Sequence, residues 1–448
     1  MTIQSPFAKR IAGVFATRVV RFAIGFVTSF VLSRILGPAG RGAFALATLT
    51  PTTLTTLGQL GLPSSFSFFA GRGRSGAKLQ WLGIVFSAIL SVVLIGATLL
   101  ALPWLEQNVL KAAPGDLVRL ALISIPFQFL AAFAGSTLIG RQTLRNYNLI
   151  LVGQSILMLL LAILLVGVLR LGVAGAIVAT IVVAVAMALA TVLELRRSIS
   201  RDPQEPEREG AGIGELVSFG AKIYPASLAG FFGYRADVFL LSAILADPRA
   251  LGLYSLGVSL AELTFFVPDS VSTVFFPRVA SSERRSADEM VVNVCRFTVL
   301  ITLLSVVGLV PAAFVAVHVL LPDFVDSLSA FLILMPGVVA LTVAKVLSSY
   351  VSGLGVPLQV AMASGTALVV NVIANLLLIP LFGILGAALA SLISYSVNAG
   401  MLLSIAARLS RRGPFDFLLP TGAEWRRLLS GLREVYALLR RSPQAEEH

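Results

Sequence analysis

The stretch IVFSAILSVVLIGATLLALPWL, residues 84–105, runs for 22 positions without a charged side chain. A helix of about 20 apolar residues crosses the roughly 30 Å hydrocarbon core of a bilayer, so a run of this length reads as a transmembrane helix. Residues 149–169 and 356–382 form further runs of the same kind. The composition around them agrees: 57% of the 448 residues are hydrophobic and 12% are charged, against about 25% charged in soluble domains. Mean hydropathy is +0.92. Strand-type alternation is missing, which argues against a transmembrane barrel. The expected fold class is an all-α polytopic membrane protein.

Outward from that run, about twelve spans are predicted: 11–33, 42–70, 79–102, 116–140, 148–169, 171–195, 215–244, 250–279, 288–321, 327–353, 356–380 and 382–408. The longest connection, RRSISRDPQEPEREGAGIG (196–214), is charged and rich in Pro and Gly, as a solvated linker would be. It divides the chain into an N-terminal six-helix lobe (1–195) and a C-terminal one (215–408), followed by a basic tail (409–448). Lys9 and Arg10 precede the first apolar run as in a signal peptide. Arg18 and Arg21 interrupt that run and no clear cleavage site follows, so a retained first helix is expected.

With the N-terminus in the cytoplasm, 22 Lys and Arg fall in cytoplasmic segments. Six lie on the opposite side: Arg34, Arg41, Lys111, Arg119, Arg170 and Arg249. That asymmetry follows the positive-inside rule and predicts both termini in the cytoplasm. It also accounts for the formal net charge of +12 without a nucleic-acid partner. Cys295 alone excludes an internal disulfide framework and a Cys-based zinc site. Two histidines, His318 and His448, leave little for metal or acid–base chemistry, and no Walker A sequence is present. No catalytic residues, metal site or cofactor are expected; sodium or proton coupling is left open.

The two halves share short matches. LGPAGRGAFAL (36–46) matches LADPRALGLYSL (245–256) through Pro38/Pro248, Gly42/Gly252 and Phe44/Tyr254. LGVAGAIVAT (171–180) matches FGILGAALAS (382–391) through Gly172/Gly383, Gly175/Gly386, Ala176/Ala387 and Ala179/Ala390. The offsets are 210 and 211 residues, which points to an internal repeat. Small residues at this spacing also suit any tightly packed membrane helix. Six spans per half is an even number, so the repeats run parallel and leave a cleft between two lobes, a transporter plan.

These signatures resemble the polysaccharide-export and oligosaccharide flippase family, within the superfamily that also holds multidrug and toxic compound extrusion exporters. The resemblance rests on RILGPAGRGAFALA (34–47), YRADVFLL (234–241), LGLYSLGVSLAEL (251–263) with FFPRVA (275–280), and NVIANLLLIPLFGILGAALAS (371–391). It implies a V-shaped pair of six-helix lobes around a cavity lined mainly by spans 1, 2, 7 and 8. It further implies that an undecaprenyl-pyrophosphate-linked oligosaccharide is turned over from the cytoplasmic to the outer leaflet of a bacterial inner membrane. Polysaccharide-assembly proteins are implied as partners.

Nine ionisable residues fall inside the predicted spans and away from their ends: Arg18, Arg21, Lys222, Arg235, Asp237, Glu262, Asp269, Arg296 and Lys345. Each would cost roughly 2.5–3.5 kcal/mol at a lipid-facing helix centre, so most are expected to face water or one another. By depth, Arg18, Arg21, Lys222, Arg296 and Lys345 lie in the cytoplasmic half and would form a basic vestibule for a pyrophosphate, which the arginine fork binds well. The competing reading is snorkelling to the surface. Arg18 and Arg21 share one face of span 1, continued by Gly25 and Ser29. Ser255, Ser259, Glu262, Phe266, Asp269 and Thr273 make a polar stripe on span 8.

Arg235 and Asp237 are two apart and cannot pair on a helix. Arg235 lies about as deep as Glu262 in the next antiparallel span, so those two are expected to pair, or share water, across the cleft wall, at about 3–5 kcal/mol for breaking a buried pair. Asp237 would meet another cation or a coupling ion. Arg235, Asp237, Glu262 and Asp269 are the candidate gating or coupling residues. Asn371 and Asn375, four apart on span 11, are candidate polar cavity residues, with interhelical hydrogen bonding the favoured alternative.

In the tail, GAEWRRLLSGLREVYALLRRS (422–442) carries an apolar stripe flanked by arginines, the pattern of a helix on the anionic inner leaflet or on a partner protein. Two other functions compete. A cation-coupled drug or metabolite exporter shares the architecture. A membrane glycosyltransferase or polymerase would need a larger outer loop with catalytic acids than 104–115 or 322–326 provides.

Overall fold

The computed structural model describes residues 6–73, 75–201, 212–419 and 422, without the side chains of residues 6–16 and of Arg18, Ala226, Thr273 and Val274. The amphipathic tail segment and the middle of the 196–214 linker lie outside the described residues. Among the described residues the regular structure is helical throughout: α1 (Pro6–Gly58), α2 (Leu62–Gly71), α3 (Gly76–Asn108), α4 (Gly115–Leu122), α5 (Ile125–Gly140), α6 (Leu144–Leu161) and α7 (Gly172–Ser200) in the first half. The second half holds α8 (Ile213–Leu245), α9 (Pro248–Glu262), α10 (Phe266–Ala280), α11 (Arg284–Leu320), α12 (Ser327–Gly353), α13 (Pro357–Phe382) and α14 (Ile384–Ser410).

Eleven continuous helical stretches among the described residues are long and apolar enough to cross a bilayer. The first, Val19–Gly58, has 40 residues. Straight, it would measure about 60 Å, twice the hydrocarbon thickness. It is broken at Gly37, whose φ of 67° and ψ of 177° are not helical. The cause is local: Pro38 disfavours a helical residue before it, and glycine tolerates the positive φ. The break divides the stretch into two arms, which makes twelve candidate crossings among the described residues.

Boundaries differ from the predicted ones where short breaks fall inside a span. Predicted span 42–70 is interrupted at Leu60 and Gly61, both at positive φ. Predicted span 116–140 is divided between α4 and α5, and span 250–279 passes through a 3-10 turn, Leu263–Phe265. Hydropathy continues across all three breaks, so length alone could not reveal them.

The even count puts all of the Arg/Lys-rich connections at one end of the bundle, called here the basic end. At the opposite end the halves meet through the repeat itself. Gly42 packs on the Pro248 carbonyl and the Gly252 amide; reciprocally, Gly252 packs on the Pro38 carbonyl and the Gly42 amide. The second repeat is echoed as well: Gly172 and Gly383 open α7 and α14 at φ 58° and 57°. Further contacts cross at this end, from Arg34 Nη1 to the Leu320 carbonyl (2.6 Å) and from Lys111 Nζ to the Ala243 carbonyl (3.1 Å). Nearer the basic end, Ser65 Oγ donates to the Leu216 carbonyl (2.7 Å) and the Phe68 and Phe219 rings stack at 4.3 Å. Close backbone approach at glycines and hydroxyl hydrogen bonds are what hold helices together where lipid removes the hydrophobic drive.

Candidate functional site

A cavity of about 220 Å³ lies between α1 and α9. Gly25 and Ser29 from α1 and Ser259 and Glu262 from α9 supply its polar or open surface, and Phe22, Phe26 and Phe30 wall it. These are spans 1 and 8, and the residues come from the stripes read along both. The 3-10 turn directly after Glu262 re-aims α10, so Phe266 meets Phe22 with ring centroids 5.8 Å apart.

Glu262 is joined from the neighbouring span. Arg235 Nη2 lies 3.1 Å from Glu262 Oε1, with side chains 37% and 31% exposed. Matching depth on antiparallel helices therefore brings them together. Their exposure differs from the buried pair assumed above, because Glu262 opens onto the cavity. Asp237, two residues on, turns into the protein and is 4% exposed. It accepts hydrogen bonds from the Tyr254 hydroxyl, from Ser391 Oγ at 3.4 Å and from the Val238 amide at 2.9 Å. Those direct partners are neutral donors, which differs from the cationic side chain that the sequence reading allowed for.

Asp269 and Lys345 form a pair at 2.6 Å between α10 and α12, with Lys345 Nζ 4.3 Å from the centre of the Phe265 ring. Lys345 is thus engaged by an acid that the sequence reading placed in a different role.

Of the five cations expected in one vestibule, the four whose side chains are described are held in separate places. Arg296 donates from Nε to the Asp416 carbonyl, with Nη2 3.9 Å from Asp416 Oδ1, which ties α11 to the 3-10 turn after α14. Arg21 is half-buried within electrostatic reach of Tyr147 on α6, while Gly25 and Ser29 from the same stripe do reach the cavity. Lys222 is exposed on α8. The side chain of Arg18 lies outside the described residues. Depth along the membrane normal puts all five in the cytoplasmic half, but it carries no information on which way each points around its helix axis.

Asn371 and Asn375 are packed inside the protein. They are 1% and 0% exposed, and Asn375 Nδ2 donates to the Asn371 carbonyl (2.9 Å) and to its Oδ1 (3.0 Å). They belong to the packed interior of α13 rather than to an open cavity wall.

One residue escaped the sequence reading. Arg41, counted among the outer charges, is 8% exposed. Nε donates to Ser255 Oγ (3.1 Å), Nη1 to the Ser29 carbonyl (3.0 Å) and Ser33 Oγ (2.5 Å), and Nη2 to Ser29 Oγ (3.1 Å) and Ser259 Oγ (3.0 Å). The available signal was the row of serines at 29, 33, 255 and 259, which are acceptors for a donor at the helix break.

Comparison with known proteins bears on what such a site serves. A family model described as polysaccharide biosynthesis protein matches residues 8–283. A curated relative, the probable low-salt glycan biosynthesis flippase Agl15 of Haloferax volcanii, is 24% identical over 178 residues. That match covers 39% of this chain and 38% of the relative, so the aligned part is little more than a third of the relative's length. Among solved structures, the lipid II flippase MurJ in an inward closed conformation superposes with a TM-score of 0.71 at 14% identity, over 90% of this chain and 88% of the other. An inward-facing multidrug resistance MATE transporter of the MOP superfamily gives 0.62 at 16% identity, over 88% and 98%. The fold is that of a two-lobed transporter.

Proposed function

We propose, from the premise that this chain belongs to the polysaccharide biosynthesis protein family, that it flips a lipid-linked oligosaccharide across a membrane. The cargo would be carried on undecaprenyl pyrophosphate in a bacterial inner membrane, from the cytoplasmic to the outer leaflet. The observation that carries the reading is the cavity between α1 and α9, the helices where the two halves meet, with Glu262, the partner of Arg235, in its wall. Alternating access needs two bodies and contacts that can open at either end. The reciprocal Gly42 and Gly252 contact is a closed end of that kind.

The chain's own groups divide the work. Arg235 and Glu262 stand across α8 and α9, so a change in the angle between these helices makes or breaks their ion pair. Asp237 is a buried carboxylate supported by hydroxyls, a place where a proton or a sodium ion would be taken up to bias the two states. The basic end faces the cytoplasm in this reading, and the arginine-rich tail lies on the anionic inner leaflet. The two halves, 1–195 and 215–408, move as the lobes.

Reconstitution tests this. Proteoliposomes holding the full chain should move a fluorescent undecaprenyl-diphosphate oligosaccharide between leaflets, read by quenching from outside. If the lipid stays put while a sodium or proton gradient drives efflux of a cationic dye, the exporter reading replaces this one. The likeness to MATE transporters favours that second reading over any membrane-bound transferase.

A further inference from the structure

Arg41 is held by five hydrogen bonds, and every acceptor is neutral. Among the described residues it forms no ion pair. A guanidinium buried this way is costly, and charge is not what the fold demands at this position. The internal repeat supplies the control: 210 residues on, the equivalent position is Leu251, fully buried and apolar. A leucine completes that half of the reciprocal contact, so the first half carries a positive charge for another purpose.

The acceptors show what the purpose is. Three bonds stay within α1, to Ser29 and Ser33. The other two cross to Ser255 and Ser259 on α9, in the opposite half. Ser29 and Ser259 also line the cavity, so a ligand there touches the same hydroxyls that hold the guanidinium. Hydroxyl oxygens are weaker acceptors for this group than phosphate oxygens. Both are bonds from a charged donor, but phosphate adds an anionic acceptor, and the planar fork engages two phosphate oxygens at once.

We propose that Arg41 is a diphosphate-binding residue that exchanges partners, held by Ser255 and Ser259 while the non-basic end is closed and by the diphosphate of the cargo when α1 and α9 part. The identity of that cargo rests on the flippase reading; the anion site does not. Because the serines and the anion compete for the same N–H groups, the proposal makes an unusual demand. Removing the α9 hydroxyls that hold Arg41, of which Ser259 lines the cavity, should strengthen anion binding.

The test uses the full chain in nanodiscs of phosphatidylcholine, titrated with inorganic pyrophosphate and, separately, with a polyprenyl diphosphate. Ser255→Ala with Ser259→Ala should tighten diphosphate binding by about tenfold or more, since two hydrogen bonds from the guanidinium stop competing. Arg41→Gln should weaken binding by tenfold or more, and Arg41→Lys by less. Binding of both probes, or of the polyprenyl diphosphate alone, supports the proposal and tells a head-group site from one that also needs the lipid chain. Unchanged or weaker binding in the serine double variant overturns it, as does wild-type binding in Arg41→Gln or the absence of Arg41-dependent binding of either probe. If Arg41→Gln does not fold, the serine variant and Arg41→Lys decide alone. Failure of wild-type flipping alongside Arg41-dependent diphosphate binding removes the transport reading and leaves this one standing.

Discussion

Arg235 and Glu262 meet with about a third of each side chain exposed, and that number sets what their interaction contributes. A sealed pair costs about 3–5 kcal/mol when one partner is lost; a pair that opens on a watery cavity leaves the survivor solvated, and the loss falls toward about 1 kcal/mol. Glu262→Gln and Arg235→Gln are therefore each expected to slow transport, with a coupling near 1 kcal/mol in a double-mutant cycle on the flipping rate. Strict additivity would mean that the two do not act together. That they meet was legible, because depth on antiparallel helices is a sequence quantity. The partners of Asp237 were not, because Tyr254 and Ser391 come from two other helices. Arg41 was misplaced for a related reason: a charge a few residues from a span end reads as a surface charge until the helix break at Gly37 folds it back under Ser29 and Ser33.

At the scale of the elements, the twelve crossings were legible because each is an apolar run long enough to span. The contact that orders them was legible only as two weakly similar strings. Its meaning lies in shape. At Gly42 an added methyl would press on the Pro248 carbonyl, and at Gly252 on the Pro38 carbonyl. Overpacking of this sort costs about 1–3 kcal/mol. Gly42→Ala and Gly252→Ala should each part α1 from α9 at the non-basic end. Thiol labelling of a cysteine at Phe30 should then rise, and thermal stability in detergent should fall. Their effects should not add, since both strain one contact. Gly153→Ala, where nothing lies within 4 Å, should change neither measurement. Equal behaviour of all three variants would show that the reciprocal contact does not hold the end closed.

For the whole molecule the question is which way it sits, and charge sets the expectation. Lys and Arg number 22 in the segments of one side against six on the other. Moving the larger set across a bilayer during insertion is the disfavoured outcome. Ser200 and Asp326 are both exposed and stand at opposite ends of the bundle, Ser200 at the basic end and Asp326 just before α12. The native thiol, Cys295, is buried and gives little background. A cysteine at Asp326 should react with a membrane-impermeant maleimide in intact cells, and one at Ser200 should react only after the membrane is opened. The reverse pattern would place the basic end outside. The direction of flipping argued above would then invert, since a cargo assembled inside would first meet the end closed by Gly42 and Gly252. The Arg235–Glu262 pair and the serine bed of Arg41 would be untouched, because they depend on how the two halves meet and not on which compartment each end faces.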